Sequence, residues 1–296
     1  MRTRQPIGRL PPSVGLRGDQ PLDCSAMATR PRKIAFVTAA TDHGTLIVNR
    51  FDRHVTEAGI GFGAGFQLLE SASYDPDEVN LLLGLLDLRR RHYGDGVIAV
   101  DCGANVGVHT IEWAKHMTGW GVVLAIEAQE RIYYALAGNV AINNCFNARA
   151  IHAAVASQPG TMKIPAPNYL MQGSFGSLEL RKKDNTEFIG QPIDYSESRM
   201  VDVQTVSLDA FNFPRLDLIK IDVEGMELEA LAGAAKCIAN LRPILVVEMI
   251  KTDQDKLRAW LENLGYSAIP SGLNFVAIHK DDKCMADIKV AAPKPA

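Results

Sequence analysis

From residue 97 onward, two kinds of apolar spacing alternate along the chain. Short, mostly apolar runs at 97–100, 121–126, 148–155, 216–221 and 243–249 read as strands, the first two of them buried. Between them lie stretches with helical spacing at 108–117, 131–143, 227–239 and 253–264. Ile132, Ala135, Leu136 and Val140, for example, mark one face of a single helix. Strands that alternate with helices predict a mostly parallel sheet with right-handed crossovers and helices on both faces. Residues 267–269 and 274–279 look like a closing strand pair, a final hairpin inserted antiparallel at one edge, which makes the sheet seven-stranded.

Ahead of this core, the runs at 34–38 and 45–48 flank Asp42-His43-Gly44 and predict a hairpin. Gly59, Gly61, Gly63 and Gly65 follow in a glycine-rich stretch. No Lys-Ser/Thr pair comes after it, so it reads as a mobile loop and not a phosphate cradle. Pro76, Asp77 and Glu78 then open a helix that runs to about Arg91, with acids in its first turn. Residues 156–214 lose periodicity, and only 201–206 alternates like a half-exposed strand. A connection of that length should carry a hairpin or lid. The chain thus divides into an extension at 1–33, a hairpin with its following helix at 34–93, a core domain at 94–280 with an insertion at 156–214, and a flexible tail at 281–296.

Composition narrows the class. A hydrophobic content of 47% and a charged content of 22% are ordinary for a globular protein. The net charge of −3 gives no electrostatic case for nucleic acid. No run approaches the roughly 18 apolar residues of a membrane span. Cys24, Cys102, Cys145, Cys237 and Cys284 are scattered without a C-x-x-C pair, which fits a reducing cytoplasm and no zinc site. Arg2, Arg4, Arg9, Arg17, Arg30, Arg32 and Lys33 make the first 33 residues basic, rich in Pro and Gly and without periodicity, as in a disordered extension.

The chemistry gathers at the strand ends. Asp101-Cys102-Gly103-Ala104-Asn105-Val106-Gly107 joins the first core strand to the next helix. This is Gly-x-Asn-x-Gly, not the Gly-x-Gly-x-x-Gly that lets backbone amides approach a pyrophosphate. An acid and an amide suit a ligand carrying an ammonium, a carboxylate and a sulfonium, which is S-adenosylmethionine. Glu127 ends the second core strand, where an acid can accept hydrogen bonds from both ribose hydroxyls.

The Gly-x-Asn-x-Gly segment resembles the first motif of FkbM-type methyltransferases. Ile219-Lys220-Ile221-Asp222-Val223-Glu224-Gly225-Met226-Glu227 resembles their second hallmark, Lys-Ile-Asp-x-Glu-Gly-x-Glu. Tyr74-Asp75-Pro76-Asp77-Glu78 and Ser207-Leu208-Asp209 add to the likeness, which covers about 65–280. Glu127-Ala128-Gln129 departs from the usual Glu-Pro. The resemblance implies a class I, Rossmann-like methyltransferase fold, S-adenosylmethionine, and O-methylation of a sugar or natural product.

Under that likeness, Gly103, Ala104, Asn105 and Gly107 form the floor under the methionine part of the cofactor, with Asp101 near its ammonium and Thr110 near its carboxylate. Glu127 takes the ribose, and Ala153 and Ala154 leave room for the adenine. Asp222 and Glu224 fall next to the methyl position. Glu224 is the first candidate base and Asp222 the second. Asp222, Glu224 and Glu248 are hard-cation ligand types, but nothing in their spacing demands a metal, and none is expected. His109 and His279 read as structural. N-methylation of a small amine and NAD-dependent oxidoreduction are the alternatives, together with a non-catalytic scaffold.

Overall fold

The computed structural model describes residues 32–288. The expected extension therefore lies almost wholly outside the described residues, as does the end of the expected tail. The first elements are the hairpin β1 (Phe36–Thr41) and β2 (Gly44–Asn49), which pair antiparallel around the expected turn. A second small pair follows, β3 (His54–Val55) with β4 (Gly61–Phe62), and then helix α1 (Ala64–Ser71).

The glycine-rich stretch is thus not the loop its composition suggests. Buried Asp52 explains why. Its Oδ2 accepts from Gly65 N at 3.0 Å and its Oδ1 from Phe175 N at 2.8 Å, which ties the start of α1 to the distant insertion. Burial pushes the Asp52 carboxyl up to about 6, against the pull of its backbone donors. A carboxylate whose folded pKa is raised contributes stability that is fully present below the unfolded value of 3.8 and is lost as pH rises through about 6. Melting temperature should therefore fall more steeply between those two pH values in the wild type than in Asp52→Asn. Equal slopes in the two proteins would remove Asp52 from this role.

Helix α2 (Pro76–Tyr93) has Pro in its first turn, Asp77 and Glu78 beside it, and Arg90, Arg91 and His92 at the far end, all in accord with the helix dipole. The core then alternates as the apolar spacing predicts. Its elements are β5 (Val97–Cys102), α3 (Val108–His116), β6 (Gly121–Glu127), α4 (Glu130–Ile142) and β7 (Ala148–His152). The expected third strand at 148–155 is split. Its last main-sheet partner is Glu127, opposite His152, so β8 (Ala154–Val155) has no neighbour there. It turns away to pair with the insertion, whose strands are β9 (Gly160–Pro165) and β10 (Met200–Val206).

The second half holds β11 (Leu218–Ile221), α5 (Glu227–Ala232), α6 (Ala235–Leu241), β12 (Ile244–Glu248), α7 (Gln254–Asn263), β13 (Tyr266–Ser271) and β14 (Asn274–His279). The single helix expected at 227–239 is broken at Gly233, which lies against the Ala156 carbonyl too closely for any side chain. Asp253 caps α7 by accepting from Lys256 N at 3.1 Å.

The seven-stranded sheet has the order β13-β14-β12-β11-β5-β6-β7. Only β14 runs against the rest, which is the class I methyltransferase arrangement expected above. Alternate strand residues feed two cores. Val100, Ile126, Ile219 and Val247 face one, and Val97, Val123, Leu218 and Val246 face the other. The hairpin packs on the second of these, where Asn139 of α4 accepts from Ile47 N at 2.5 Å and donates to Ile47 O and Val106 O.

Residues 281–288 correct the expected tail boundary, because they are packed. Asp282 is buried and ion-paired with Arg89 of α2, and Cys284 is buried beside it. Arg89 Nε also donates to buried Asp217 at 3.1 Å. Asp217 in turn accepts from Arg215 Nε at 2.8 Å and from Ile98 N at 2.9 Å. This network ties α2 and residues 281–288 to the start of β5 and to the segment that leads into β11.

Candidate functional site

A cavity of about 250 Å³ is lined by residues that follow the carboxyl ends of β5, β6, β11 and β12. This is where ligands collect in an open α/β sheet. The Gly-x-Asn-x-Gly turn forms one wall. Three of its residues have positive φ: Gly103 at 81°, Asn105 at 50° and Gly107 at 92°. The sequence reading took Asn105 as a ligand contact. The backbone supplies a second reason for it, since Asn is the side chain that best tolerates the left-handed region after Gly. Gly103 is required more strictly. A Cβ there would lie 1.8 Å from the Asp222 carbonyl oxygen, so the turn and the loop after β11 touch backbone to backbone.

Glu127 lines the cavity and holds the turn. Its Oε2 accepts from Asn105 N at 3.0 Å and its Oε1 from Gln129 N at 2.8 Å. Burial raises its carboxyl to about 7, against these donors. Ala104, Gly107, Ala153 and Ala154 also line the cavity. The small side chains and the edge carboxylate fit a nucleoside-bearing cofactor.

Asp101 and Thr110 correct that reading in part. Neither lines the cavity. Asp101 is 1% exposed and its Oδ2 accepts from Thr110 Oγ1 at 2.6 Å, so the pair braces the turn from behind. Asp101 Oδ1 has no hydrogen-bond partner among the described residues. Burial raises its carboxyl, and Lys220 opposes the rise.

The adjoining part of the lining carries charge. Asp222 and Glu224 follow β11, and Glu248 ends β12. Glu224 sits at φ 54°, a strained position for a residue other than Gly. It pairs with Lys251 Nζ at 2.6 Å. Burial, then Asp222, pushes the Glu224 carboxyl well above the usual range, against Lys251. Glu248 is raised to about 8 by burial, then by Asp222 and Glu227. Glu227, next in the motif, is buried and accepts from Gly225 N at 2.9 Å, which shapes the loop.

Several lining residues have no part in the site on the sequence alone, and His109 reads there as structural. Lys220 is 4% exposed inside β11 and donates to Asp222 Oδ2 at 2.7 Å. Burial works against its charge, yet Asp222, Glu78 and Asp101 together keep it protonated. A lysine in the middle of an apolar strand was the signal that could have found it. Tyr74, Glu78 and His109 also line the cavity, with His109 Nε2 3.4 Å from Glu78 Oε1. Burial holds the His109 imidazole neutral. His279 is far less engaged, packing edge-on to Tyr266. The insertion supplies the remaining wall. Lys251 Nζ donates to Ser177 O at 2.8 Å and pairs with Glu187 at 2.9 Å, while Lys183 Nζ donates to Gly225 O and Lys251 O.

The family model "Methyltransferase FkbM domain" matches residues 101–268. The chain is similar to "Methyltransferase 1" of Beauveria bassiana, 22% identical over 208 residues that cover 67% of this chain and 80% of that protein. It is also similar to "Methyltransferase sdnD" of Sordaria araneosa, 27% identical over 188 residues that cover 56% of this chain and 72% of that one. A solved structure, methyltransferase FkbM from Methylobacillus flagellatus, aligns with a TM-score of 0.43 and 14% identity, over 62% of this chain and 43% of its own. Among the described residues, no helix is long and apolar enough to cross a membrane. The family match takes in the turn at Gly103, Glu127 and the carboxylates after β11 over more than half of the sequence, and on it the chain belongs to the FkbM methyltransferase family.

Proposed function

We propose that this enzyme transfers a methyl group from S-adenosylmethionine to a hydroxyl of a sugar or natural-product acceptor. When bound, the cofactor supplies a methyl group already activated on a sulfonium. The protein's task is then to place the acceptor and take its proton. Gly103, Ala104, Asn105 and Gly107 would hold the methionine part and Glu127 the ribose. Asp101, with Thr110, would act through the turn it supports. Ala153 and Ala154 would border the adenine, and Asp222 would border both cofactor and acceptor.

The observation that carries the reading is that Glu224 and Asp222 line the same cavity as the turn. A buried carboxylate there can receive the acceptor's proton as the bond forms. Lys251 would hold Glu224 in position through its 2.6 Å contact. N-methylation is the second reading. It is favoured by the acidic lining of Asp75, Glu78, Asp222, Glu224 and Glu248, which attracts an ammonium. The same lining repels a pyrophosphate and argues against NAD. Buried free Cys102, Cys145, Cys237 and Cys284 fit a cytoplasmic setting.

The test is calorimetry with S-adenosylhomocysteine and NAD, then a screen of hydroxyl and amine acceptors with a labelled methyl donor. S-adenosylhomocysteine should bind and NAD should not. Glu127→Ala should weaken S-adenosylhomocysteine binding by about 1–3 kcal/mol, the scale for losing hydrogen bonds to a charged group. NAD binding without S-adenosylhomocysteine binding would refute the assignment, and unchanged affinity in a folded Glu127→Ala would take Glu127 out of the site.

A further inference from the structure

We infer that Asp222, Glu224 and Glu248 form a binding site for one hard divalent cation of the Mg²⁺, Mn²⁺ or Ca²⁺ type. The fold makes the cluster. β11 and β12 are parallel neighbours, with Ile221 opposite Val247, so the residues just past their carboxyl ends converge. One carboxylate oxygen from each of the three lies within 4.8 Å of the others. Oxygens bound to one such ion sit about 2.0–2.6 Å from it, so they lie at most about 5 Å apart. The three oxygens satisfy that limit without rearrangement of the backbone.

A second observation points to a cation. Glu248 is only 8% exposed, lines the cavity with the other two, and its Oε2 has no hydrogen-bond partner among the described residues. The two nearby ammonium groups are committed elsewhere. Lys220 pairs with Asp222 at 2.7 Å, and Lys251 is shared between Glu224 at 2.6 Å and Glu187 at 2.9 Å. Among the described residues Glu248 has no ion pair, and an unpaired buried carboxylate is costly. The donor set is all carboxylate, with no Cys or His, which selects a hard ion over zinc.

Each carboxylate has two oxygens, so Glu224 can ligate the ion through one and keep Lys251 on the other. On the methyl-transfer reading, an acceptor oxygen would complete the coordination and become more acidic there. The binding of the ion does not depend on that reading.

The experiment uses the full chain, stripped with a chelator and dialysed. Mn²⁺ is titrated with detection of free ion by electron paramagnetic resonance, and S-adenosylhomocysteine is titrated in parallel by calorimetry. One Mn²⁺ per chain is expected, with affinity at least about tenfold weaker in Glu248→Gln and in Asp222→Asn. The exposed α7 variant Glu262→Gln should bind as the wild type does. Melting curves identify the variants that are folded, and if one carboxylate variant fails to fold the other carries the comparison. No Mn²⁺ uptake at millimolar concentration, or uptake that survives both carboxylate changes, overturns the site. S-adenosylhomocysteine binding without Mn²⁺ uptake overturns the cation site alone. Mn²⁺ uptake that obeys the variants supports the site even if S-adenosylhomocysteine fails to bind, a result that would count only against methyl transfer.

Discussion

Glu224→Gln is expected to lower turnover by roughly 10²–10⁴-fold on the true acceptor, the range for loss of a positioned general base. Gln keeps the size of the side chain and much of its hydrogen bonding, but it cannot take a proton. Stability should barely change, because Lys251 retains Glu187 and the Ser177 carbonyl when its third partner becomes neutral. Affinity for S-adenosylhomocysteine should also hold, since Glu224 makes no hydrogen bond to the turn at Gly103 or to Glu127, which Asn105 N and Gln129 N hold. The measurement is a single-turnover rate at saturating donor, alongside a melting curve. A folded variant with near wild-type turnover would pass the role to Asp222 or to positioning alone.

Asp217→Ala should give the largest loss of stability. Asp217 is wholly buried and joins Arg89, Arg215 and the amide of Ile98. Breaking a buried pair by removing one partner costs about 3–5 kcal/mol, because a buried charge is left without compensation. For a domain of this size that is a fall in melting temperature on the order of 10 °C. The network lies at the opposite ends of β5 and β11 from the cavity, so binding of S-adenosylhomocysteine at low temperature should be unaffected. A loss below about 1 kcal/mol in urea unfolding would show that water or Asp282 takes over the role of Asp217.

The centre of the sheet was legible because its inner strands are buried on both faces, and such strands write mostly apolar runs into the sequence. Val97 to Val100, the β6 run and the β12 run all fell where the spacing put them. The floor of the site was legible for a related reason, since the turn needs Gly and Asn at fixed positions to bend the backbone. What the sequence did not disclose depends on contacts distant in the chain. Helix α1 begins within a run of glycines because Asp52 and Phe175 hold it. The break at Gly233 is set by Ala156. Glu248 reads as an ordinary strand end until β11 is laid beside it. Thr110 was placed on the ligand because its partner was taken to be a ligand, when that partner is Asp101. Residues 281–288 looked frayed by composition, yet the partner that orders them is Arg89, some 190 residues earlier.

The Asp52 clamp also bears on the order in which the molecule can assemble. The β1–β2 hairpin closes over two residues and can form as soon as it exists, on the microsecond scale of such turns. Its anchors come much later in the chain. Asn139, which holds Ile47, lies 92 residues on, and Phe175, which Asp52 holds, lies 123 residues beyond its partner. Contacts of such long sequence separation close late, because the loop entropy is lost before they form. During synthesis the hairpin must therefore wait, undocked, while the first half of the sheet is made. The part of the cavity lining beside Phe175, at Ser174 and Gly176, cannot lock until that early segment is in place, so the β1–β2 hairpin is among the first parts to form and the last to be secured.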